Sequence, residues 1–194
     1  MRRAKCEALD RTMARPRTSA FVGVSLDGFL ARLDGSVDWL QPFEGEEHGF
    51  TAFFDSVDTL VIGRKTYDFV LSLPAGGSWF YRGKRCIVMT HRGVDGQHGE
   101  RPYEGEPAAL LAQLEAEGAR HIYVDGGVVI RSFLAAGLLD ELTITFVPLL
   151  IGEGLPLFGG VKLHSELVLD GVKSFANRLV QVRYRPPALG NSSS

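Results

Sequence analysis

Apolar residues fall along this chain in short blocks, and the spacing inside each block predicts what it forms. His121–Val124 is mostly apolar with little alternation, which predicts a strand buried on both faces. The pair Gly126–Gly127 follows, and Val129, Ile130, Phe133 and Leu134 then repeat at helical spacing until Gly137. Leu142–Val147 is apolar and β-branched and ends at Pro148, which predicts another strand. Ser19–Ser25, Thr59–Ile62 and Arg85–Met89 read as strands in the same way, with Phe29–Ala31 extended. Helices are expected over Glu46–Phe54, from Gly63 through Tyr67, Phe69, Val70 and Leu71, and over Pro107–Gly118. The last of these has proline near its start and glycine at its end. Asp95–Pro107 and Gly152–Gly160 are glycine-rich loops, and Leu163–Leu169 with Phe175–Tyr184 alternate like an antiparallel closing pair.

Strands that alternate with helices pair in parallel, whereas the last three strands have no helix between them. The expected fold class is therefore α/β: a single domain with a mixed, mostly parallel central sheet, helices on both faces and antiparallel strands at the C-terminal end. Residues 19–185 would form this domain, between a disordered basic leader over 1–18 and a polar tail over 186–194. The leader has no apolar core and is not a secretory signal; a transit peptide is the alternative reading.

Composition narrows the function. A 194-residue chain with 45% hydrophobic and 23% charged residues fits one ordinary globular domain. A formal net charge of −2 argues against nucleic acid as a partner, and no apolar run is long enough to span a bilayer. The two cysteines, Cys6 and Cys86, offer neither a disulfide framework nor a cysteine-rich zinc site, which fits a reducing cytoplasm. His48 and His121 have no partners at metal-ligand spacing, so no metal is expected and both read as structural or exposed.

The candidate chemistry stands at three strand ends, where open α/β sheets bind ligands. They read Gly63-Arg64-Lys65-Thr66, Thr90-His91-Arg92 and Asp125-Gly126-Gly127-Val128. A glycine pair ahead of a helix bares backbone N–H groups at the positive end of the helix dipole, a seat for phosphate. If the three strands are neighbours, the glycine pair and Thr66 would take a pyrophosphate. Arg64, Lys65, His91 and Arg92 would then surround a ribose phosphate. Taken singly, each cluster reads equally as a tight turn or a solvated loop.

The chain also resembles the dihydrofolate reductase superfamily, in the branch similar to the reductase domain of bacterial riboflavin biosynthesis. The resemblance runs from Ala20 to Tyr184. It is carried by SLDGFLA (Ser25–Ala31), VDWL (Val37–Leu40), LVIGRKTYDF (Leu60–Phe69), CIVMTHR (Cys86–Arg92), VDGG (Val124–Gly127), FLAAGLLDELTITFVPLLIGEG (Phe133–Gly154) and F-x-N (Phe175–Asn177). It implies NADPH as cofactor, held by Gly63, Arg64, Lys65, Thr66, Thr90, His91, Arg92, Gly126, Gly127 and Val128. No GxGxxG fingerprint is present. It implies a catalytic acid a few residues after Trp39, with Glu44 the best match and Glu46 or Glu47 as replacements. Thr145 matches a threonine that helps hold substrate through that acid, and Asp27 is typical of the riboflavin-type branch. Asp125 replaces a glutamate often seen before the glycine pair. Substrate contacts are thus expected from Asp27, Trp39, Glu44 and Asp125.

Each of these has a plainer reading. Asp27 can shape a turn, Trp39 can be a core aromatic, Thr145 can be a satisfied core threonine, and the glutamates can be a solvated helix start. The implied activity is NADPH-dependent reduction of a C=N or C=O in a pteridine- or pyrimidine-like heterocycle. A stand-alone riboflavin-pathway pyrimidine reductase and a non-catalytic NADPH-binding protein are the alternatives. The branch further implies a homodimer.

Overall fold

The computed structural model describes residues 15–43, 47–73, 81–159 and 166–187. Its strands are β1 (Arg17–Ser25), β2 (Phe29–Ala31), β3 (Thr59–Gly63), β4 (Arg85–Met89), β5 (Arg101–Tyr103), β6 (His121–Asp125), β7 (Glu141–Val147), β8 (Leu155–Pro156), β9 (Val168–Ser174) and β10 (Val180–Arg185). Its α-helices are α1 (Phe50–Ser56), α2 (Arg64–Ser72), α3 (Pro107–Ala116) and α4 (Gly127–Ala135), with a 3-10 turn over Asp38–Phe43. Among the described residues, no helix is long and apolar enough to cross a membrane.

Eight strands form one sheet in the order β5-β4-β3-β6-β1-β7-β10-β9. Six of them, from β5 to β7, run parallel, and β10 then pairs antiparallel with both β7 and β9. The expected class is the observed one. Helices α3 and α4 cover one face, where Leu110, Leu114, Ile130 and Phe133 pack fully buried on Val22, Val61, Ile122 and Val124. Fully burying such a side chain contributes about 1.5–3 kcal/mol. Helices α1 and α2 cover the other face with Phe50, Phe53, Tyr67 and Val70, over Leu60, Ile62, Cys86 and Tyr123. Alternation along β6 sends Ile122 and Val124 to the first face and Tyr123 to the second, which is why that stretch reads as a continuous apolar run.

Several boundaries differ from the expected ones for local reasons. Strand β1 begins at Arg17, two residues early, because Asp140 accepts both the N–H and the hydroxyl of Thr18 and grips the Arg15 guanidinium at 2.6 and 2.9 Å. Helix α1 begins at Phe50 rather than Glu46. The Glu47 carboxylate accepts the N–H groups of Gly49 and Thr51 and the Thr51 hydroxyl, and so caps the helix from outside it. The expected loop Asp95–Pro107 contains edge strand β5. Glu117, at the end of α3, fixes that strand by accepting two hydrogen bonds from Arg101, and this pairing pulls its carboxyl down to about 2. The glycine-rich segment Gly152–Gly160 contains β8, which pairs with β2 in a separate two-stranded ribbon. The closing pair is Val168–Ser174 with Val180–Arg185, joined by a turn in which the Phe175 N–H donates to the Leu179 carbonyl.

At the amino ends of the central strands, His121 packs between Ser19 Oγ, 2.9 Å from Nε2, and Ser56 Oγ, 3.1 Å from Nδ1. Burial holds this ring below the ordinary histidine value of 6.5, with Arg17 adding repulsion. The folded state therefore favours the neutral ring, while the unfolded chain takes up a proton near 6.5. Thermal melts should show stability falling as the pH drops below about 6.5, and His121→Gln should flatten that fall without removing the transition.

Candidate active site

Strands β4, β3 and β6 are adjacent, so the three chemistry-bearing ends do meet. They form one wall of a cleft of about 1110 Å³ at the carboxyl edge of the parallel strands. Gly63, Arg64, Lys65, Thr66, Thr90, His91, Arg92, Asp125, Gly126, Gly127 and Val128 all line it.

The glycine pair is there because nothing larger fits. Gly126 sits at φ 91°, and a Cβ on it would stand 2.7 Å from Thr66 Oγ1. A Cβ on Gly127 would lie 2.9 Å from Leu30 Cδ1 and 3.0 Å from both the Pro156 carbonyl and Arg131 Nη1. Helix α4 starts at this point, so its first-turn amides, which have no intrahelical acceptors, open on the cleft.

The basic residues around these ends are partly committed. Arg64 donates to Asp68 at 2.7 Å and to the Gly93 carbonyl at 2.7 Å, and Arg92 approaches the same Asp68 at 3.8 Å. His91 faces Glu104 at 2.8 Å in an exposed pair. Lys65 is exposed and makes no ion pair with the described residues. Arg131, which the sequence reading did not single out, reaches under the glycine pair and donates to the carbonyls of Pro156 and Leu157 at 2.8 and 2.9 Å. It thereby holds the β2–β8 ribbon against α4, and burial lowers its pKa.

The inner end of the cleft is apolar and aromatic, lined by Phe21, Leu40, Phe50, Phe69, Tyr81 and Tyr123. Phe50 and Phe53 pack edge-on to Tyr123, with ring centroids 6.2 and 5.0 Å away. The Tyr123 hydroxyl donates to the Phe21 carbonyl at 2.9 Å. Asp125 enters this environment from the end of β6. Loss of water pushes its carboxyl up to about 6 from 3.8, and the 2.7 Å hydrogen bond from the Gly126 N–H only partly offsets that. Alternation along β6 places Tyr123 and Asp125 on one face, a signal that was available in the sequence.

Other expected residues lie elsewhere. Trp39 is 3% exposed in a separate cluster with Val147, Phe175 and Leu179, so it serves as a core aromatic and does not line the cleft. Thr145 is buried on β7, where its hydroxyl accepts a hydrogen bond from Gln181 at 3.0 Å. Asp27 accepts hydrogen bonds from the Ser25 hydroxyl and from the N–H groups of Ile151 and Gly152, which tie the β1–β2 turn to the loop before β8. Those donors, the Ser25 hydroxyl foremost, hold its carboxyl below the usual range. Glu44 and its neighbour Glu46 lie outside the described residues, and Glu47 caps α1. Cys86 is buried, and desolvation pushes its thiol up to about 12, which removes it as a nucleophile.

A raised carboxyl pKa means the folded protein holds its proton better than the unfolded chain. Stability is therefore lost as the pH rises from about 4 to 6. Asp125→Asn should accordingly raise the unfolding free energy above pH 7 by about 1–3 kcal/mol. The gain should vanish near pH 4, as read by denaturant melts at both values.

Comparison with known proteins agrees with this geometry. Residues 77–181 match the family model described as the RibD C-terminal domain. The uncharacterized protein YwjB of Bacillus subtilis (strain 168) is 36% identical over 171 residues, covering 87% of this chain and 97% of YwjB. The riboflavin biosynthesis protein RibD of Corynebacterium ammoniagenes is 27% identical over 157 residues, or 74% of this chain and 46% of RibD. A crystal structure from Shewanella sp. PV-4, of a protein provisionally assigned to riboflavin biosynthesis, superposes with a TM-score of 0.79 at 31% identity. It covers 88% of this chain and 99% of that one. The order of the sheet, the glycine pair before α4 and these matches together make the chain a member of the RibD C-terminal domain family, a reductase-type family with the dihydrofolate reductase-like fold.

Proposed function

We propose that this protein is an NADPH-dependent reductase that delivers hydride to a C=N or C=O carbon of a pyrimidine- or pteridine-like heterocycle. The observation that carries this reading is the continuity of one cleft, from a rim of bare amides and basic side chains to an aromatic region that holds the half-buried carboxylate of Asp125. The rim fits the cofactor. The first-turn amides of α4 beside Gly126 and Gly127 offer a pyrophosphate backbone N–H donors, with the Thr66 hydroxyl next to Gly126. Lys65, Arg64, Arg92 and His91 stand where a further phosphate would be met. When bound, the reduced nicotinamide supplies the hydride.

The chain's own contribution is position, dryness and one proton. The aromatic walls sandwich a flat ring and exclude water, which keeps the substrate carbon in one orientation. Asp125 Oδ1 is held by the Gly126 N–H at 2.7 Å, and Asp125 lines the cleft. Because loss of water pushes its carboxyl up to about 6, Asp125 can pass a proton to a ring nitrogen, or orient that nitrogen through its N–H. This assigns to Asp125 the role that the sequence reading gave first to Glu44.

The test is reduced-nicotinamide oxidation with pyrimidine and pteridine substrates. Gly127→Ala should weaken NADPH binding about tenfold or more, because the added methyl collides with Leu30, Arg131 and the Pro156 carbonyl and displaces the amides at the start of α4. Asp125→Asn should keep NADPH binding while lowering turnover about 100-fold, and the wild-type rate should fall as the pH rises above about 6. Wild-type protein that binds no NADPH would defeat the proposal.

We also infer a homodimer through the far end of the sheet. Leu169, Val172 and Val180 are exposed on the face that α3 and α4 cover elsewhere, and β9 leaves an open strand edge. A second copy would bury both. Val172→Glu should then reduce a dimeric mass to a monomeric one in sedimentation equilibrium.

A further inference from the structure

Resting on the reductase reading above, we infer that Arg131 is a cofactor-binding residue: its guanidinium supplies a counter-charge to the dinucleotide's pyrophosphate, on the side of the glycine turn away from Thr66. Its place beside the turn and the way its charge is partnered carry this.

The two glycines meet different neighbours. A Cβ on Gly126 would stand 2.7 Å from Thr66 Oγ1, whereas a Cβ on Gly127 would stand 3.0 Å from Arg131 Nη1. The sheet order explains the division. Strand β6 lies between β3, whose end leads into Thr66, and β1, which is followed by the β2–β8 ribbon. Arg64, Lys65, His91 and Arg92 stand at or just after the ends of β3 and β4. Arg131 lines the same cleft from α4, about one helical turn beyond Gly127. It thus brings a positive charge to the Gly127 end of the seat, beside the first-turn amides that open on the cleft.

The partners of that charge argue for an anion. Nη1 donates to the carbonyls of Pro156 and Leu157 at 2.8 and 2.9 Å, and both acceptors are neutral. Nε is buried with no hydrogen-bond partner. Among the described residues no carboxylate pairs with this guanidinium, and burial is what lowers its pKa. Arg64, by contrast, is held by Asp68 at 2.7 Å. A clamp on two carbonyls needs N–H donors but no charge, and a neutral amide has such donors. Keeping a cation half-buried without a counter-ion is costly, and so is a buried donor left unpaired. A phosphate offsets both, because a guanidinium meets its oxygens with several N–H groups at once. The clamp and the charge are therefore two separate contributions of one side chain.

Calorimetry on the full chain separates the two, with NADPH and adenosine 2′-monophosphate as probes; the second has the ribose phosphate but no pyrophosphate. Arg131→Gln removes the charge and keeps N–H donors for the carbonyls, whereas Arg131→Lys keeps the charge. Arg131→Gln should weaken NADPH binding about tenfold or more while leaving adenosine 2′-monophosphate within about twofold. Arg131→Lys should recover most of the lost affinity, and high salt should narrow the gap between wild type and Arg131→Gln. In wild-type protein, which keeps the test open should Arg131→Gln fail to fold, the Arg131 Nε–H resonance should shift with NADPH and stay in place with adenosine 2′-monophosphate. Unchanged NADPH affinity in Arg131→Gln, equal weakening of both probes, or an unmoved Nε–H resonance would overturn the inference and leave the reductase reading intact. A loss in Arg131→Lys as deep as in Arg131→Gln would overturn it too, as the mark of a clamp alone. Wild-type protein that takes up no NADPH would remove the reductase reading itself, together with what rests on it.

Discussion

The close approach of the Gly126–Gly127 backbone to Thr66 on one side, and to Leu30 and Pro156 on the other, draws three separate parts of the chain into one wall. Thr66 belongs to the first turn of α2, Leu30 and Pro156 to the two strands of the outlying ribbon, and the glycines to the start of α4. Because the parallel order places β6 between β3 and β1, the glycine turn is central in the sheet, and everything that touches it is fixed relative to the core. Arg131 extends the same constraint, since its guanidinium spans from α4 to the ribbon carbonyls just beneath the pair.

The electrostatics of the cleft follow from that arrangement. At the strand ends, water reaches the charges, and Arg64, Arg92 and Asp68 share one another at modest energetic consequence. At the end of β6 Asp125 is half-buried, and loss of water pushes its carboxyl up to about 6. Desolvation, rather than residue type, separates this carboxyl from the solvated Asp68 on α2.

Much of this was legible in the sequence, and particular residues show where legibility stopped. The run from His121 to Val147 announced strand, glycine turn, helix and strand because each element buries a continuous apolar face. The three basic or glycine-bearing strand ends were found because strands terminate where such residues begin. For Trp39, Thr145 and Asp27 a short motif fixes where the residue lies in the chain, but the face it turns to depends on partners such as Gln181, Phe175 and Gly152. Strands β5 and β8 lie inside glycine-rich loops, where three or two residues carry no alternation, and β5 is fixed by a distant group, Glu117. Arg131 looked like one more polar helix position, since no local signal reports that a carbonyl pair from the ribbon lies within its reach.

The two ends of the cleft come from largely different stretches of chain. The rim is built by Gly63–Thr66, Thr90–Arg92 and Gly126–Val128, whereas most of the aromatic wall comes from Phe21, Leu40, Phe50 and the latter half of α2. Tyr123 and Asp125 are the hinge between them. A scaffold divided in this way can change what it accepts in one region without disturbing the other. Loop exchange over 33–43 is therefore a natural starting point for redirecting this protein toward new ring compounds, and the same partition gives a lineage room to diversify from one ancestral cleft.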